Sequence, residues 1–391
     1  MASPGRSAVI TGSGVVSPLG TGLTAFWSGL VAGRSAIAPI VRFRADDLDP
    51  ATAAEVEGSC GDDRDRAGIF AVAAAEQALA AARLRPTDVD PARLGVALGT
   101  TLGGMEIFEA WDGAVAAGDP PPACLERVPY FAPATRVAAA VSARGPVVTT
   151  QLACASGTEA IALAADWVRA GRADVVLAGG SDLLCRFVVA GFNSLRATAA
   201  VARPFDRDRQ GLVLGEGAAL LVIEEEGHAA RRGVTATARV LGTGAAGDAV
   251  HMTAPDRGGG GVVRAVRAAL ADAGIAASAV DFVSAHGTGT PFNDAMEARA
   301  LLHLFGKRGV PVNSIKGAIG HTLGAAGAFE VAVCAEVVAR GLIPPTAGLE
   351  TVDPECAALD LVRGAARPCA VGVALSTSSG FAGANAAVLL G

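Results

Sequence analysis

The chain has 391 residues, of which 51% are hydrophobic and 18% are charged, and its formal net charge is −6. This composition is typical of a well-buried globular protein, and the length predicts two domains or one duplicated domain. The negative charge offers no basic surface for nucleic acid or for an anionic membrane.

The cysteines and the N-terminal residues bear on the cellular compartment. There are seven cysteines, an odd number, and none form a CxxC pair. This pattern favours a reducing environment and argues against a disulfide framework or structural zinc. The chain starts without the apolar run of a signal peptide, and no uncharged apolar run reaches the roughly 18 residues of a membrane span. We therefore expect a cytoplasmic protein with neither a membrane nor a nucleic-acid partner.

Strands and helices alternate along the first part of the chain. Apolar periodicity predicts strands over 8–14, 94–98, 146–150, 174–180 and 218–223, and helices over 23–33, 62–82, 129–141 and from Cys154 to Gly171. A polar stretch over 226–233 follows and is the candidate domain boundary.

The second part of the chain repeats the same alternation. The pattern predicts strands over 235–241, 280–284, 310–313, 370–376 and 386–390, and helices over 261–270, 295–305 and 324–339. Alternating strands and helices predict parallel sheets covered by helices. We therefore expect a duplicated α/β fold, divided into residues 1–230 and residues 231–391.

Cys154 lies in a tight turn between a strand and a helix. The free N–H groups at a helix start carry partial positive charge and favour thiolate over thiol. The sequence therefore suggests a nucleophile, although a buried apolar cysteine is the competing interpretation.

Two glycine-rich stretches resemble phosphate-binding loops only in part. Residues 241–248 contain GxGxxG after a strand, but the residues that follow include a proline and do not open a helix, as a dinucleotide fingerprint must. We interpret this stretch as a flexible glycine loop. Residues 258–261 lack the lysine and hydroxyl residue of a nucleotide loop, and we interpret them as a helix entry.

Two histidines lie at positions suited to chemistry. His286 follows a buried strand, and His321 precedes a helix of small residues whose positive end should keep the imidazole neutral and able to donate a hydrogen bond. Lys316 and Glu330 lie in the same apolar run, which suggests a buried pair. Cys154 and the two histidines could form a metal site. However, their long spacings and the lack of a fourth ligand favour a thiolate that takes an acyl group, with the imidazoles as donors.

Five motifs occur in order over essentially the whole chain. They are ACASG, RPFDRDRQGLVLGEGA, HGTGTPFND, NSIKGAIGHTLGAAGA and GFAGAN. Together they resemble the β-ketoacyl-acyl carrier protein synthases, the elongating condensing enzymes with the thiolase fold. The resemblance implies duplicated α/β/α/β/α layers with two mixed, mostly parallel sheets. It also implies no cofactor or metal, substrates carried on the phosphopantetheine of an acyl carrier protein, and a homodimer or a heterodimer with a chain-length-factor-like subunit.

The resemblance also assigns roles to matching positions. Cys154 would hold the growing chain as an acyl-enzyme, and His286 and His321 would bind the malonyl thioester oxygen as it becomes an enolate. Lys316 would orient the His321 side together with Glu330. The implied reaction is a decarboxylative Claisen condensation.

Three further positions match the substrate-contacting part of the family pattern. Phe381 would be a gating residue, and its backbone N–H would form an oxyanion hole with that of Cys154. Thr288 and Thr290 would contact the pantetheine arm.

Two departures from the family pattern favour a specialised polyketide or polyene chain over housekeeping fatty acids. The gate has Ser379, Ala382 and Ala384 where a bulkier residue and Gly-Gly-Thr are usual, and the stretch 135–145 is about two helical turns shorter. A non-catalytic chain-length subunit is the alternative, but such relatives usually lack the cysteine. The second cysteine of thiolases and the asparagine of starter-type enzymes are not evident.

Overall fold

The computed structural model describes residues 5–58, 64–120, 122 and 124–391. The α-helices are α1 Leu23–Val31, α2 Arg66–Ala81, α3 Met105–Ala117, α4 Ala132–Ala140, α5 Ser156–Arg169, α6 Arg186–Ser194, α7 Glu226–Arg231, α8 Gly260–Ala273, α9 Pro291–Phe305, α10 Lys316–Ile319 and α11 Ala326–Arg340. The strands are β1 Ala8–Ser17, β2 Gly20–Thr21, β3 Ala38–Pro39, β4 Thr52–Ala54, β5 Leu94–Gly99, β6 Val147–Thr150, β7 Val175–Asp182, β8 Leu214–Gly215, β9 Gly217–Glu225, β10 Ala238–Gly247, β11 Phe282–Ser284, β12 Pro311–Asn313, β13 Leu342–Ile343, β14 Asp360–Leu361, β15 Arg367–Pro368, β16 Ala374–Gly380 and β17 Ala384–Leu390.

The main sheet is mixed and follows the order β14-β12-β11-β16-β17-β10-β1-β9-β7-β5-β6. Its two halves have the same plan, in which parallel strands lie on the outside and antiparallel strands lie toward the centre. The halves meet where β1 pairs with β10 over only two residue pairs, Val9 with Arg239 and Ile10 with Ala238. The two sheets implied by the resemblance are therefore joined by one short pairing.

The helices form three layers around the two half-sheets. Helices α2 and α4 cover the outer face of the first half, and α8 and α9 cover the second half. Helices α5 and α11 pack against each other and contact strands of both halves. The central helices begin at corresponding points, since α5 follows β6 in the first half and α11 follows β12 in the second. The loops before them carry Cys154 and His321.

The stretch 242–247 is not the flexible glycine loop that the sequence suggested, because it continues strand β10. A β-carbon at Gly242 would lie 2.2 Å from the carbonyl oxygen of Ala269, so only glycine lets α8 approach this closely. Gly12 of β1 has the same relationship to Ala78 of α2, at 2.3 Å, and both glycines follow a β-bulge. The two halves therefore repeat this packing device as well as the strand order.

The other predicted elements are present, with ends shifted by a few residues. The first two residues of the helix predicted over 62–82 lie outside the described part of the chain, and the helix is seen from Arg66. The polar stretch 226–233 contains the short helix α7, and the division at residue 230 remains a prediction. In the described ranges, every helix is too short or too polar to cross a bilayer.

Candidate active site

The turn before α5 fixes the position of Cys154. The hydroxyl of Ser156 accepts the N–H of Leu152 at 2.9 Å and donates to the carbonyl of Ala153 at 2.6 Å. Ala153 has φ +48°, in the left-handed region that costs a non-glycine residue free energy. Cys154 follows directly and is buried, at 6% exposure.

The protonation state of Cys154 differs from the sequence prediction of a favoured thiolate. Burial raises the pKa of Cys154 to about 12, against the lowering effects of the Lys316 charge and of the Phe381 backbone N–H that is hydrogen-bonded to the sulfur. The carboxylates of Asp182 and Glu330 raise this pKa further. The thiol is therefore protonated near neutral pH, because desolvation outweighs the lowering effects of the Lys316 charge and the Phe381 N–H.

His286 is held by a neighbouring helix and by a lysine. Glu297 of α9 accepts the backbone N–H of His286 at 2.7 Å and that of Gly287 at 2.8 Å. The ammonium of Lys316 lies 3.3 Å from Nδ1 of His286 and donates to the carbonyl oxygen of the same residue. Since an ammonium can only donate, Nδ1 accepts and the proton of a neutral ring lies on Nε2.

His321 reaches the same tautomer through the backbone. Its Nδ1 accepts the N–H of Leu323 at 3.2 Å, so the ring proton lies on Nε2. Burial and the nearby Lys316 charge hold the pKa of His321 well below its ordinary value, and the pKa of His286 is lowered by burial, Lys316 and His321. Both imidazoles are therefore neutral, as the sequence predicted for His321, and their ring centres lie 5.2 Å apart.

Lys316 and Glu330 form the predicted buried ion pair. Glu330 also accepts the hydroxyl of Ser378 at 3.0 Å, and that hydroxyl lies 2.7 Å from the hydroxyl of Thr158 on α5. The prediction that Lys316 orients the His321 side is wrong in its geometry, because the ammonium contacts His286.

One cavity of about 380 Å³ brings the predicted residues together. Its lining includes Cys154, His286, His321, Thr288, Thr290 and Phe381. The hydroxyls of the two threonines are 2.9 Å apart, and the Phe381 ring stacks on Phe192 with centres 5.6 Å apart. This convergence of nucleophile and donors does not favour the alternative of a non-catalytic subunit.

Sequence reasoning missed several buried residues that hold the site. Asp294 accepts the backbone N–H groups of Thr288 at 3.1 Å and Gly289 at 3.2 Å, and Glu297 holds the His286 loop. Asp182, at the end of β7, accepts four hydrogen bonds. These residues could have been found in the sequence as acidic side chains among apolar ones. Asp294 and Glu297 lie three residues apart in a helical stretch, and Asp182 ends an apolar strand.

Comparison with known proteins identifies the family. The model of the beta-ketoacyl synthase N-terminal domain matches residues 6–229, and that of the C-terminal domain matches residues 237–350. The chain therefore belongs to the β-ketoacyl synthase family, the condensing acyltransferases of the thiolase-like fold.

Similar proteins come from polyketide and fatty-acid synthesis. The ketoacyl synthase alpha subunit of the tetracenomycin polyketide synthase from Streptomyces glaucescens is 39% identical over 413 residues, covering 98% of this chain and 97% of that protein. The 3-oxoacyl-[acyl-carrier-protein] synthase 2 of Coxiella burnetii is 36% identical over 416 residues, covering 98% of each. The solved ishigamide ketosynthase/chain length factor matches with a TM-score of 0.94 at 38% identity, covering 99% of each chain.

Proposed function

We propose that the protein condenses malonyl-acyl carrier protein with an acyl chain held on Cys154, with loss of carbon dioxide. The supporting observation is that Cys154, His286 and His321 line one cavity in which both imidazoles carry their proton on Nε2. Such fixed neutral donors suit an oxygen that becomes negative during reaction.

The first half-reaction loads the enzyme. The Cys154 sulfur attacks an acyl thioester, the carbon–sulfur bond to pantetheine breaks, and the thiol proton passes to the departing pantetheine sulfur. The N–H groups of Phe381 and Cys154 would stabilise the tetrahedral oxyanion. Since burial keeps the cysteine protonated, no separate base is required for this exchange to balance.

The second half-reaction forms the carbon–carbon bond. Breaking the bond to the malonyl carboxylate releases carbon dioxide and leaves an enolate, whose oxygen would accept hydrogen bonds from Nε2–H of His286 and His321. The enolate carbon attacks the acyl carbonyl, Cys154 departs as thiolate and a solvent proton restores the thiol. No cofactor takes part, since both substrates are thioesters on phosphopantetheine.

The mouth of the cavity suits a carrier protein. Leu195 and Phe292 line the cavity and are 53% and 59% exposed. Arg196 also lines it, and the guanidinium of Arg257 lies 5.0 Å from the Phe292 ring centre. Arginine binds phosphate groups well, so these two could receive the phosphate of a pantetheine arm that reaches Thr288.

The sheet edge suits a second subunit. Strand β6 ends the strand order, and Val147 on it is 40% exposed, while Tyr130 and Phe131 before α4 are 44% and 58% exposed. An apolar edge strand invites pairing with another chain. The partner would be a second copy or a chain-length-factor-like subunit, such as the solved ishigamide pair contains.

We further propose a specialised polyketide or polyene substrate and a cytoplasmic location. Support for the substrate comes from Ser379, which lines the cavity and donates to Asn385 at 2.8 Å where the family pattern carries a bulkier residue. Six cysteines in the described part of the chain are free thiols, in keeping with a reducing compartment.

Intact-protein mass spectrometry tests the proposed reaction. The enzyme, alone or with a co-expressed partner, is exposed to a panel of acyl-carrier-protein thioesters and then to malonyl-carrier protein. We expect an acyl adduct on Cys154 and a β-ketoacyl product two carbons longer. An enzyme that takes an acyl group on another residue, or takes none from any thioester, would refute the proposal.

A further inference from the structure

Asp182 accepts four hydrogen bonds although it is completely buried. One carboxylate oxygen accepts the Thr100 hydroxyl at 2.8 Å and the Leu102 N–H at 3.0 Å. The other accepts the backbone N–H of Thr101 at 2.8 Å and that of Gly324 at 2.7 Å. The carboxylate therefore joins the loop after β5 in the first half to the turn before α11 in the second.

The Gly324 contact leads directly to His321. Leu323 precedes Gly324 in a short 3-10 turn and has φ +53°, a conformation that its own side chain disfavours. The N–H of this strained residue is the group that donates to Nδ1 of His321. A strained backbone persists only where its surroundings hold it, and the hydrogen bond from Gly324 to Asp182 does this at the next residue.

The Gly324 turn is closely packed, because its backbone and two neighbouring glycines leave no room for a β-carbon. A β-carbon on Gly324 would lie 2.7 Å from a carboxylate oxygen of Asp182. A β-carbon on Gly180 or Gly157 would lie 2.7 or 2.9 Å from the carbonyl oxygen of Gly324. The turn is therefore packed against both β7 and the start of α5.

The same carboxylate also reaches the nucleophile. Thr101, whose N–H binds Asp182, places its hydroxyl 3.4 Å from the carbonyl oxygen of Ala153, the residue before Cys154. The negative charge of Asp182 raises the pKa of the Cys154 thiol. Asp182 thus acts on both halves of the site, in different ways.

We propose that Asp182 is a positioning residue for condensation, which sets the tautomer of His321 through the Gly324 turn. The inference rests on the proposed function, because it assigns His321 the task of donating from Nε2. An amide at position 182 could accept at only one end and would present N–H groups to two of the four donors. The turn would then shift, and the Leu323 N–H would no longer hold Nδ1.

The substitution Asp182→Asn separates this role from a general structural one. We expect the kcat for malonyl-carrier-protein decarboxylation to fall about tenfold or more, up to the loss of a whole oxyanion donor, with KM within about twofold. Alkylation of Cys154 by iodoacetamide should stay equal or become faster, because a negative charge next to the thiol is removed. Wild-type decarboxylation in the variant would overturn the inference, and so would parallel losses of both activities.

Two further variants serve as a control and as an independent test. Glu224→Gln changes another buried carboxylate, one that accepts from Thr11 at 2.8 Å and does not line the cavity, and it should leave decarboxylation unchanged. Gly324→Ala moves the turn away from Asp182 but keeps the charge. It should therefore lower decarboxylation without any gain in thiol reactivity, and unchanged decarboxylation would contradict the inference.

Nuclear magnetic resonance of protein labelled with ¹⁵N-histidine gives a readout that needs no activity. In the wild type, the His321 shifts should show Nδ1 unprotonated and Nε2 protonated, and Asp182→Asn should shift this signal toward a tautomer mixture. An unchanged His321 signal would overturn the inference. Failure of the proposed function is distinct, since it would appear as a wild-type enzyme that does not decarboxylate malonyl-carrier protein.

Discussion

Lys316 contacts Nδ1 of His286 at 3.3 Å, whereas His321 receives the backbone N–H of Leu323 at its own Nδ1. Two unrelated donors, an ammonium and a peptide N–H, therefore give the two imidazoles the same tautomer. Both rings are buried and neutral, and both line the cavity beside Cys154. The arrangement supplies two donors without placing a positive charge on either ring.

Replacing one histidine should separate the two half-reactions. We expect His321→Ala to lower malonyl decarboxylation by about 10²–10³-fold, the usual cost of one oxyanion donor, while Cys154 still accepts an acyl group. Carbon dioxide release and intact mass measure the two steps. His303→Ala, at an exposed position on α9, is the matched control and should change neither. Loss of acylation in His321→Ala would contradict this division of roles.

Removing the nucleophile should abolish acylation and leave decarboxylation in place, the reverse of the His321→Ala result. Cys154→Ala is expected to form no acyl adduct and no elongated product, because Cys154 is the only thiol among the described residues that line the cavity. Decarboxylation of malonyl-carrier protein should persist, since both imidazoles remain. Cys334→Ala, at a buried position on α11, is the control, and it should still elongate chains. Elongation by Cys154→Ala would remove the cysteine from the mechanism.

The alternation of elements and the five motifs allowed the fold and the main site residues to be predicted. Apolar periodicity located Cys154 at a helix start and His286 after a strand, because both depend on local sequence. The sequence predicted Glu330 as the ion-pair partner of Lys316, but not that the ammonium contacts His286, since this contact depends on how α10 packs against the loop after β11.

The thiol pKa shows a second limit of sequence reasoning. A helix N-terminus can be read locally and favours thiolate, whereas desolvation depends on the whole surrounding fold and dominates at Cys154. The β10 glycines show a third limit, since Gly242 serves packing against α8 and is not part of a loop. Asp182 was missed because its four donors come from two segments that are far from it in the sequence, residues 100–102 and Gly324.

Alkylation of Cys154 should depend steeply on pH. The thiol pKa is raised to about 12. At any pH below that value, raising the pH by one unit therefore increases the thiolate fraction about tenfold. The rate of iodoacetamide addition, followed by intact mass from pH 7 to 9, should therefore rise without a plateau. A plateau below pH 8 would instead mean that the helix start and Lys316 outweigh burial.

Glu330 should make the free energy of unfolding fall as pH rises, the reverse of the effect of a carboxylate whose pKa is lowered by folding. Burial raises its pKa from the ordinary 4.5 to about 7, so the folded protein binds more protons than the unfolded chain between these values. Its contribution to the free energy of unfolding therefore falls as pH rises through this window. Glu330→Gln should reduce this slope in urea titrations. A residual slope of the same sign is expected from Asp182, whose pKa burial raises to about 6.

Removing one partner of the buried Lys316–Glu330 pair should lower the free energy of unfolding more than replacing both partners with uncharged residues. Lys316→Met leaves the Glu330 carboxylate buried without its cation and should lower the free energy of unfolding by about 3–5 kcal/mol near pH 8. The double variant Lys316→Met, Glu330→Gln should recover part of that loss, because no unpaired charge remains. Urea unfolding measures all three proteins. Equal losses in the single and double variants would mean that packing, and not charge, sets the cost.

The turn that begins with the proposed gating residue Phe381 contains an alanine in a left-handed conformation that favours glycine, and a neighbouring alanine provides a matched control. Ala382 has φ +64°, and its N–H donates to the carbonyl of Met252 at 2.6 Å, whereas Ala384 has φ −75°. Ala382→Gly relieves about 1 kcal/mol of backbone strain but adds freedom to the unfolded chain, so stability should change by less than about 1 kcal/mol. Ala384→Gly gains no relief and should destabilise the protein by about 0.5–1 kcal/mol.

Ala382→Gly should also change the rate of acylation. With the strain at position 382 removed, the Phe381 side chain should move more freely, and the variant should acylate Cys154 faster with long-chain thioesters. A large loss of stability in Ala382→Gly, or slower acylation, would show that the alanine holds the gate in its working position.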